Sequence, residues 1–263
     1  MGGANGTGAL RPAPSTSTVA EREGSSEVTP EVRAELAHAW DVPREEATRI
    51  QQRLARLVDL RQLPADGPGS PLVAAGVDVA YANDGSSAWA VAVAMDRRFT
   101  VIAMSTAEGT PDSPYLPGFL AFREGRLTLL ALAGLGLEPD VIFLDGHGVV
   151  HERGLGLASH VGVLLGVPTI GVPKTPFHAV DHAPGPRRGD HFILTKEWGA
   201  QGAAVRLKAG VKPVYVSPGH LVDLPSAVAL SLAWSTGSRR VPEPLALAHT
   251  LSVCTRNAAA GIT

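Results

Sequence analysis

Apolar and polar residues first fall into a regular pattern at residues 43–60, "PREEATRIQQRLARLVDL". There Ala47, Ile50, Leu54, Leu57 and Val58 recur at helical spacing behind a proline and two acids, which predicts a helix. "RQLPADGPGS" then reads as a linker by its Pro and Gly content. From residue 72 the period changes. "LVAAGVDVAYA", "SAWAVAVAMD" and "FTVIAMSTA" are Val- and Ala-rich strands joined by the short connections "NDGSS" and "RR", as in an antiparallel meander. A helix is predicted over about residues 118–135. "PDVIFLDG" and "PTIGVPK" are short, almost wholly apolar strands of the kind covered on both faces, with a helix, "GLGLASHVGVLLG", between them. "DHFILTK" and "AAVRLKA" form a further hairpin, "KPVYVSPGH" a last strand and "PSAVALSLAW" a last helix. The order β-β-β-α-β-α-β predicts an α/β fold, a mixed sheet of three antiparallel strands followed by parallel αβ units, with helices on both faces.

Residues 1–28 are poor in bulky apolar side chains and read as a disordered tail, leaving 29–263 as a single domain whose core begins near 72. With 44% hydrophobic residues in 263, a substantial core can form. A net charge of -2 argues against a histone-like protein but allows a nucleic-acid enzyme with locally clustered basic residues. The single cysteine, Cys254, excludes an internal disulfide and a zinc knuckle and fits a reducing, cytoplasmic compartment. No apolar run approaches the length of a membrane span. The protein is taken as a monomer.

Three acids change the picture. Asp78 lies inside the first strand, Asp145 ends a buried one, and Glu124 sits on the helix between them. If the first and fourth strands are neighbours, Asp78 and Asp145 face one another and Glu124 lies over them. Taken alone, each reads as a buried acid satisfied by backbone. Together they read as an oxygen-ligand site for Mg²⁺ or Mn²⁺, because clustered carboxylates do not stay ionised without a cation. His151 and His147 are candidates for handling a phosphate or a proton near Asp145, and Lys174 ends another buried strand on the same edge. His160 reads as a helix residue bonded to backbone. His220 and Asp223, which follow the last strand, could reach the same edge. A zinc hydrolase built on His147, His151 and His160 is disfavoured by their Gly-rich spacing. Arg123, Arg126, Arg153 and Lys174 would supply a local basic track. In "PYLPG" two prolines stiffen the chain around Tyr115. Its ring is suited either to stacking on bases or to packing on its own loop.

"GVDVAY" (76–81), "PYLPGFLAFRE" (114–124), the segment from Val141 to Lys174 and "PVYVSPGHLVDLPSA" (213–227) together resemble the endonuclease V family, over roughly residues 40–250. The resemblance implies an RNase H-like core and Mg²⁺, with Mn²⁺ able to substitute, bound by Asp78, Glu124 and Asp145, and by His220 as a further contributor. It implies that His151 and Lys174 lie at the scissile phosphate. It implies that Tyr115, with Pro114, Leu116, Pro117 and Gly118, forms a wedge filling the gap left by a flipped hypoxanthine, and that Gly118 and Gly146 let backbone approach the extruded base. The implied activity is DNA repair: recognition of deoxyinosine in double- or single-stranded DNA and hydrolysis of the second phosphodiester bond 3′ to the lesion, leaving 3′-hydroxyl and 5′-phosphate ends. Two departures stand out. Glu152 replaces the family's usual proline in His-Pro-Arg, and Pro173 replaces the usual alanine before the lysine. Cleavage of inosine in RNA, or binding of damaged nucleic acid without cleavage, are the alternatives.

Overall fold

The structure, a computed structural model, describes residues 38–180, 182–195 and 201–262. The expected tail, residues 1–28, lies outside them. In chain order the elements are α1 (Arg44–Ala55), β1 (Val73–Tyr81), β2 (Ala88–Asp96), β3 (Val101–Gly109), α2 (Leu120–Ala133), β4 (Val141–Leu144), α3 (Leu157–Leu165), β5 (Thr169–Gly171), β6 (His191–Thr195), β7 (Gln201–Val205), β8 (Val214–His220), α4 (Leu224–Ala233) and α5 (Glu243–Ala259). One eight-stranded sheet runs β3-β2-β1-β4-β5-β8-β7-β6. β1, β4 and β5 are parallel, and the neighbours on either side are antiparallel. This is the mixed sheet that the element order predicts, in the RNase H-like arrangement that the resemblance implies.

Two hydrophobic layers sandwich the sheet. Alternation along β1 sends Ala75 and Val77 to the layer with α1, α2 and α3, and Ala74 to the layer with α4 and α5. Gly125, in the middle of α2, admits the Trp40 ring: a Cβ there would lie 2.4 Å from it. His160 is buried on α3, with its Nε2 2.7 Å from Nε2 of His38 and its ring stacked on Trp40. Its partner is therefore a side chain rather than the expected backbone, and burial holds its pKa down to about 3.

Two expectations change. The Pro/Gly-rich segment after α1 is no free linker. Leu221 N–H donates to Asp59 O and Asp223 N–H to Arg61 O, both at 2.7 Å, while Leu63 N–H donates to Ser226 Oγ at 2.9 Å. The segment is strapped across the entry to α4. The second change is α5, a 17-residue helix the apolar pattern did not reveal. It lies against β1 and β2, so closely that a Cβ on Gly76 would come within 2.2 Å of the Leu245 amide nitrogen.

Candidate active site

Parallel pairing of Val77 with Leu144 puts the next residues, Asp78 and Asp145, side by side where β4 ends. Ligand sites in open α/β sheets form at such carboxyl-terminal strand edges. Glu124 reaches the same place from α2. Asp78, Glu124 and Asp145, with Val77, Val79, Thr128, Leu144 and Leu157, line a cavity of about 130 Å³. The three acids named from the sequence are thus brought together.

Each carboxylate has its own protein donor. Ser252 Oγ–H donates to Asp78 Oδ2 at 2.6 Å, and His249 Nδ1 lies 3.1 Å from the same oxygen. The Tyr81 hydroxyl donates to Glu124 Oε1 at 2.8 Å, and Lys174 Nζ to Asp145 Oδ2 at 2.6 Å. Burial, aided by repulsion from Asp78 and Asp145, pushes the Glu124 carboxyl up to about 8, although the Tyr81 hydrogen bond opposes the shift. Burial and the Glu124 charge also push the Tyr81 phenol up, so it remains the donor. Among the described residues no three His, Cys, Asp or Glu side chains already converge as a ready-made metal cage. The donor set nevertheless fits a hard divalent cation: three carboxylates face one small cavity, and their mutual repulsion is what a cation would relieve.

His220 is not part of this site. It ends β8, which runs antiparallel to β5, and pairs with Thr169 at the start of β5, whereas Asp145 follows the end of β4. Strand direction therefore sends it to the opposite sheet edge, where its Nδ1 accepts from Asp59 N–H at 3.2 Å. Asp223 likewise caps α4 through Ser226 N–H at 2.9 Å. The histidine at the carboxylates is His249 of α5, half-exposed beside Asp78. The sequence signal for it was slight: "PEP" at 242–244 marks a helix start, and His249, Ser252 and Arg256 share one helical face.

A second cavity, of about 620 Å³, adjoins the first through Asp145. Tyr115, Pro117 and Gly118 line it on one side, and Gly146, His147, His151, Pro173 and Phe177 elsewhere. Tyr115 and Leu116 are 64% and 42% exposed at the tip of the loop, although its base is tightly held. On the near side Arg123 Nη1–H donates to Ser113 O at 2.7 Å, with the guanidinium 4.3 Å above the Tyr81 ring, and Arg126 Nε–H donates to Asp112 at 2.7 Å. On the far side the Gly118 carbonyl accepts from Gln51 Nε2 at 3.0 Å, His151 Nε2 at 3.0 Å and Arg153 Nη2 at 2.8 Å.

These contacts revise the basic track. Arg123, Arg126 and Arg153 brace the loop, and Lys174 faces Asp145. His151 is 4% exposed with its Nε2 turned to Gly118; burial, with Arg153 alongside, lowers its pKa to about 4, so the ring is neutral. Glu152 pairs with Arg153 at 2.6 Å. The two glycines also answer to protein neighbours. Gly118 has φ +79°, and a Cβ there would lie 2.3 Å from Glu152 Oε1; on Gly146 it would lie 2.9 Å from Leu157 Cβ.

Comparison with known proteins settles the family. The endonuclease V family model matches residues 52–250. The chain belongs to the endonuclease V family. It is 41% identical to endonuclease V of Methanothrix thermoacetophila over 84% of this chain and 96% of that one. Among solved structures, endonuclease V of Streptomyces avermitilis superposes with a TM-score of 0.76 at 41% identity, covering 84% of this chain and 96% of that one. Ciona intestinalis endonuclease V, in complex with a 24mer DNA containing an inosine followed by a ribo-adenosine, gives 0.67 at 26% identity, covering 82% and 98%. As a member of that family, the chain is a nuclease, a hydrolase of DNA phosphodiester bonds. Among its described residues no helix is long and apolar enough to cross a membrane.

Proposed function

We propose that this chain is a Mg²⁺-dependent repair endonuclease that recognises deoxyinosine and hydrolyses the second phosphodiester bond 3′ to it, leaving 3′-hydroxyl and 5′-phosphate ends. The supporting observation is the junction of two cavities at Asp145: one ringed by carboxylates, the other walled by a braced loop with an exposed aromatic tip. That the Ciona relative is solved with inosine-containing DNA supports the choice of lesion.

Asp78, Asp145 and Glu124 would hold the ion, with Mn²⁺ able to take its place and His249 beside Asp78 in the position expected of His220. Bound there, a divalent ion polarises the phosphate and acidifies water. Lys174 would counter the charge growing on the phosphate as water attacks phosphorus and the 3′-oxygen leaves. Tyr115 and Leu116, presented by Pro114 and Pro117, would wedge into the stack while the extruded base enters the larger cavity. Opening an inosine pair costs less than opening a normal pair, which favours the lesion. His151, Arg123 and Arg153 support the loop rather than touch the phosphate. The protein acts as a monomer, in the cytoplasm, where reducing conditions suit its free cysteine, Cys254.

A duplex carrying one labelled deoxyinosine strand, incubated with Mg²⁺ or EDTA, tests the reading. One Mg²⁺-dependent nick, a nucleotide beyond the lesion on its 3′ side, is expected; a lesion-specific gel shift without a nick would make the chain a binder. A second reading, cleavage of inosine in RNA, is favoured by the ribo-adenosine that follows inosine in the Ciona complex. The same assay on an inosine-containing RNA separates the two.

A further inference from the structure

Gln51, on α1, is itself among the residues lining the larger cavity, yet it is 1% exposed and every polar atom of its amide is engaged by the protein. Its Nε2–H donors go to Gly118 O at 3.0 Å and Leu155 O at 3.3 Å, and its Oε1 accepts from Arg153 Nε–H at 2.6 Å. A buried amide with two carbonyl acceptors and one cationic donor admits a single orientation, because the flipped amide would set its oxygen against two carbonyls.

Gln51 therefore touches both components of the clamp on the loop. It donates directly to Gly118 O, and it aims Arg153, whose Nη2 reaches the same carbonyl at 2.8 Å. The third donor is fixed independently. His151 Nδ1 accepts from Arg153 N–H at 3.2 Å, which leaves the proton on Nε2 to meet Gly118 O. Gly118 sits in the left-handed region just before the buried Phe119, whose N–H donates to Leu116 O at 3.0 Å, so holding the Gly118 carbonyl holds the turn from which Tyr115 and Leu116 project.

We infer that Gln51 is a positioning residue for lesion recognition: it fixes the angle of the wedge loop through Gly118 and Arg153, and so governs discrimination of inosine rather than the hydrolytic step. This rests on the wedge reading proposed above. An interaction used to open and hold the base moves KM and lesion preference, while the carboxylate cleft, bounded by other residues, keeps its rate.

The test compares the unaltered protein with Gln51→Leu and Gln51→Glu. The first removes the amide hydrogen bonds; the second keeps size and the Arg153 contact but sets a carboxylate against two carbonyls. Expected for both is a rise of about ten-fold in KM on duplex containing deoxyinosine, the scale of one lost hydrogen bond, with kcat within about two-fold. Preference for inosine over undamaged duplex should fall in parallel. The effect should shrink on a single strand whose inosine is already unpaired. A merely structural role would instead lower the melting temperature and kcat and leave the preference unmoved. Equal losses on paired and unpaired substrate, or unchanged KM and preference, overturn the inference. Should Gln51→Leu not fold, Gln51→Glu decides alone. If the unaltered protein neither binds nor nicks inosine strands, the proposed function falls and this inference with it; if it does and the variants match it, only the inference falls.

Discussion

The carboxylate cleft and the loop beside it are built on opposite plans. In the cleft, like charges are crowded and each is met by one donor: Ser252 on Asp78, Tyr81 on Glu124, Lys174 on Asp145. Burial there works against ionisation and holds Glu124 protonated up to about pH 8. In the loop, cationic side chains at both ends grip backbone carbonyls and Asp112, and the apolar tip is left exposed. The first region stores unfavourable electrostatics that a divalent ion would release. The second has little left to reorganise and can keep an aromatic ring out in solvent. Chemistry and recognition are thus separable, and variants should affect one without the other.

The largest separation is expected from Asp78→Ala, which should cut nicking by about 10³-fold or more, as for loss of a metal-holding group, while circular dichroism and lesion binding persist. Full-rate nicking by this variant would break the comparison at its root. Next comes Tyr115→Ala. Inosine binding should weaken about ten-fold, the scale of one lost base–aromatic stack, with the Mg²⁺ concentration dependence unchanged. Gly118→Ala forces a side chain into the left-handed region and against Glu152, so a loss of about 1–3 kcal/mol is expected, seen as a lower melting temperature together with weaker lesion preference.

A pH series sharpens the contrast further. Between the ordinary 4.5 and about 8, the folded chain keeps a proton on Glu124 that the unfolded chain gives up. Stability without metal should therefore fall as pH rises through that window and level off above it. Mg²⁺ must displace the same proton, so calorimetry should find tighter binding at pH 8 than at pH 6 and proton release at the lower value. Glu124→Gln should flatten both trends. The smallest effect on the site is expected from His220→Gln. It lies at the opposite edge, so melting should drop by a few degrees through the lost Asp59 contact while metal dependence stays the same.

Much of this molecule is determined by the sequence alone. Two-residue alternation in β1 and β2, the wholly apolar β4, and short connections suffice for the mixed sheet, because each pattern answers to local geometry. Asp78, Glu124 and Asp145 are legible because charges in apolar surroundings stand out, and Tyr115 because two prolines frame it. What depends on long-range approach is not legible. Only the packing of α5 on Gly76 puts Ser252 and His249 on Asp78, and only the antiparallel direction of β8 carries His220 to the far edge. The arginines near the loop look like phosphate ligands in one dimension. The fold brings them to carbonyls and to Asp112, within hydrogen-bond reach. Gln51 carries no local signature: its role arises from meeting Gly118, Leu155 and Arg153 at separations of 67 to 104 residues along the chain. Local periodicity decides which elements form. The partner of a buried polar group is decided by whichever distant atom the packed elements bring within about 3 Å of it.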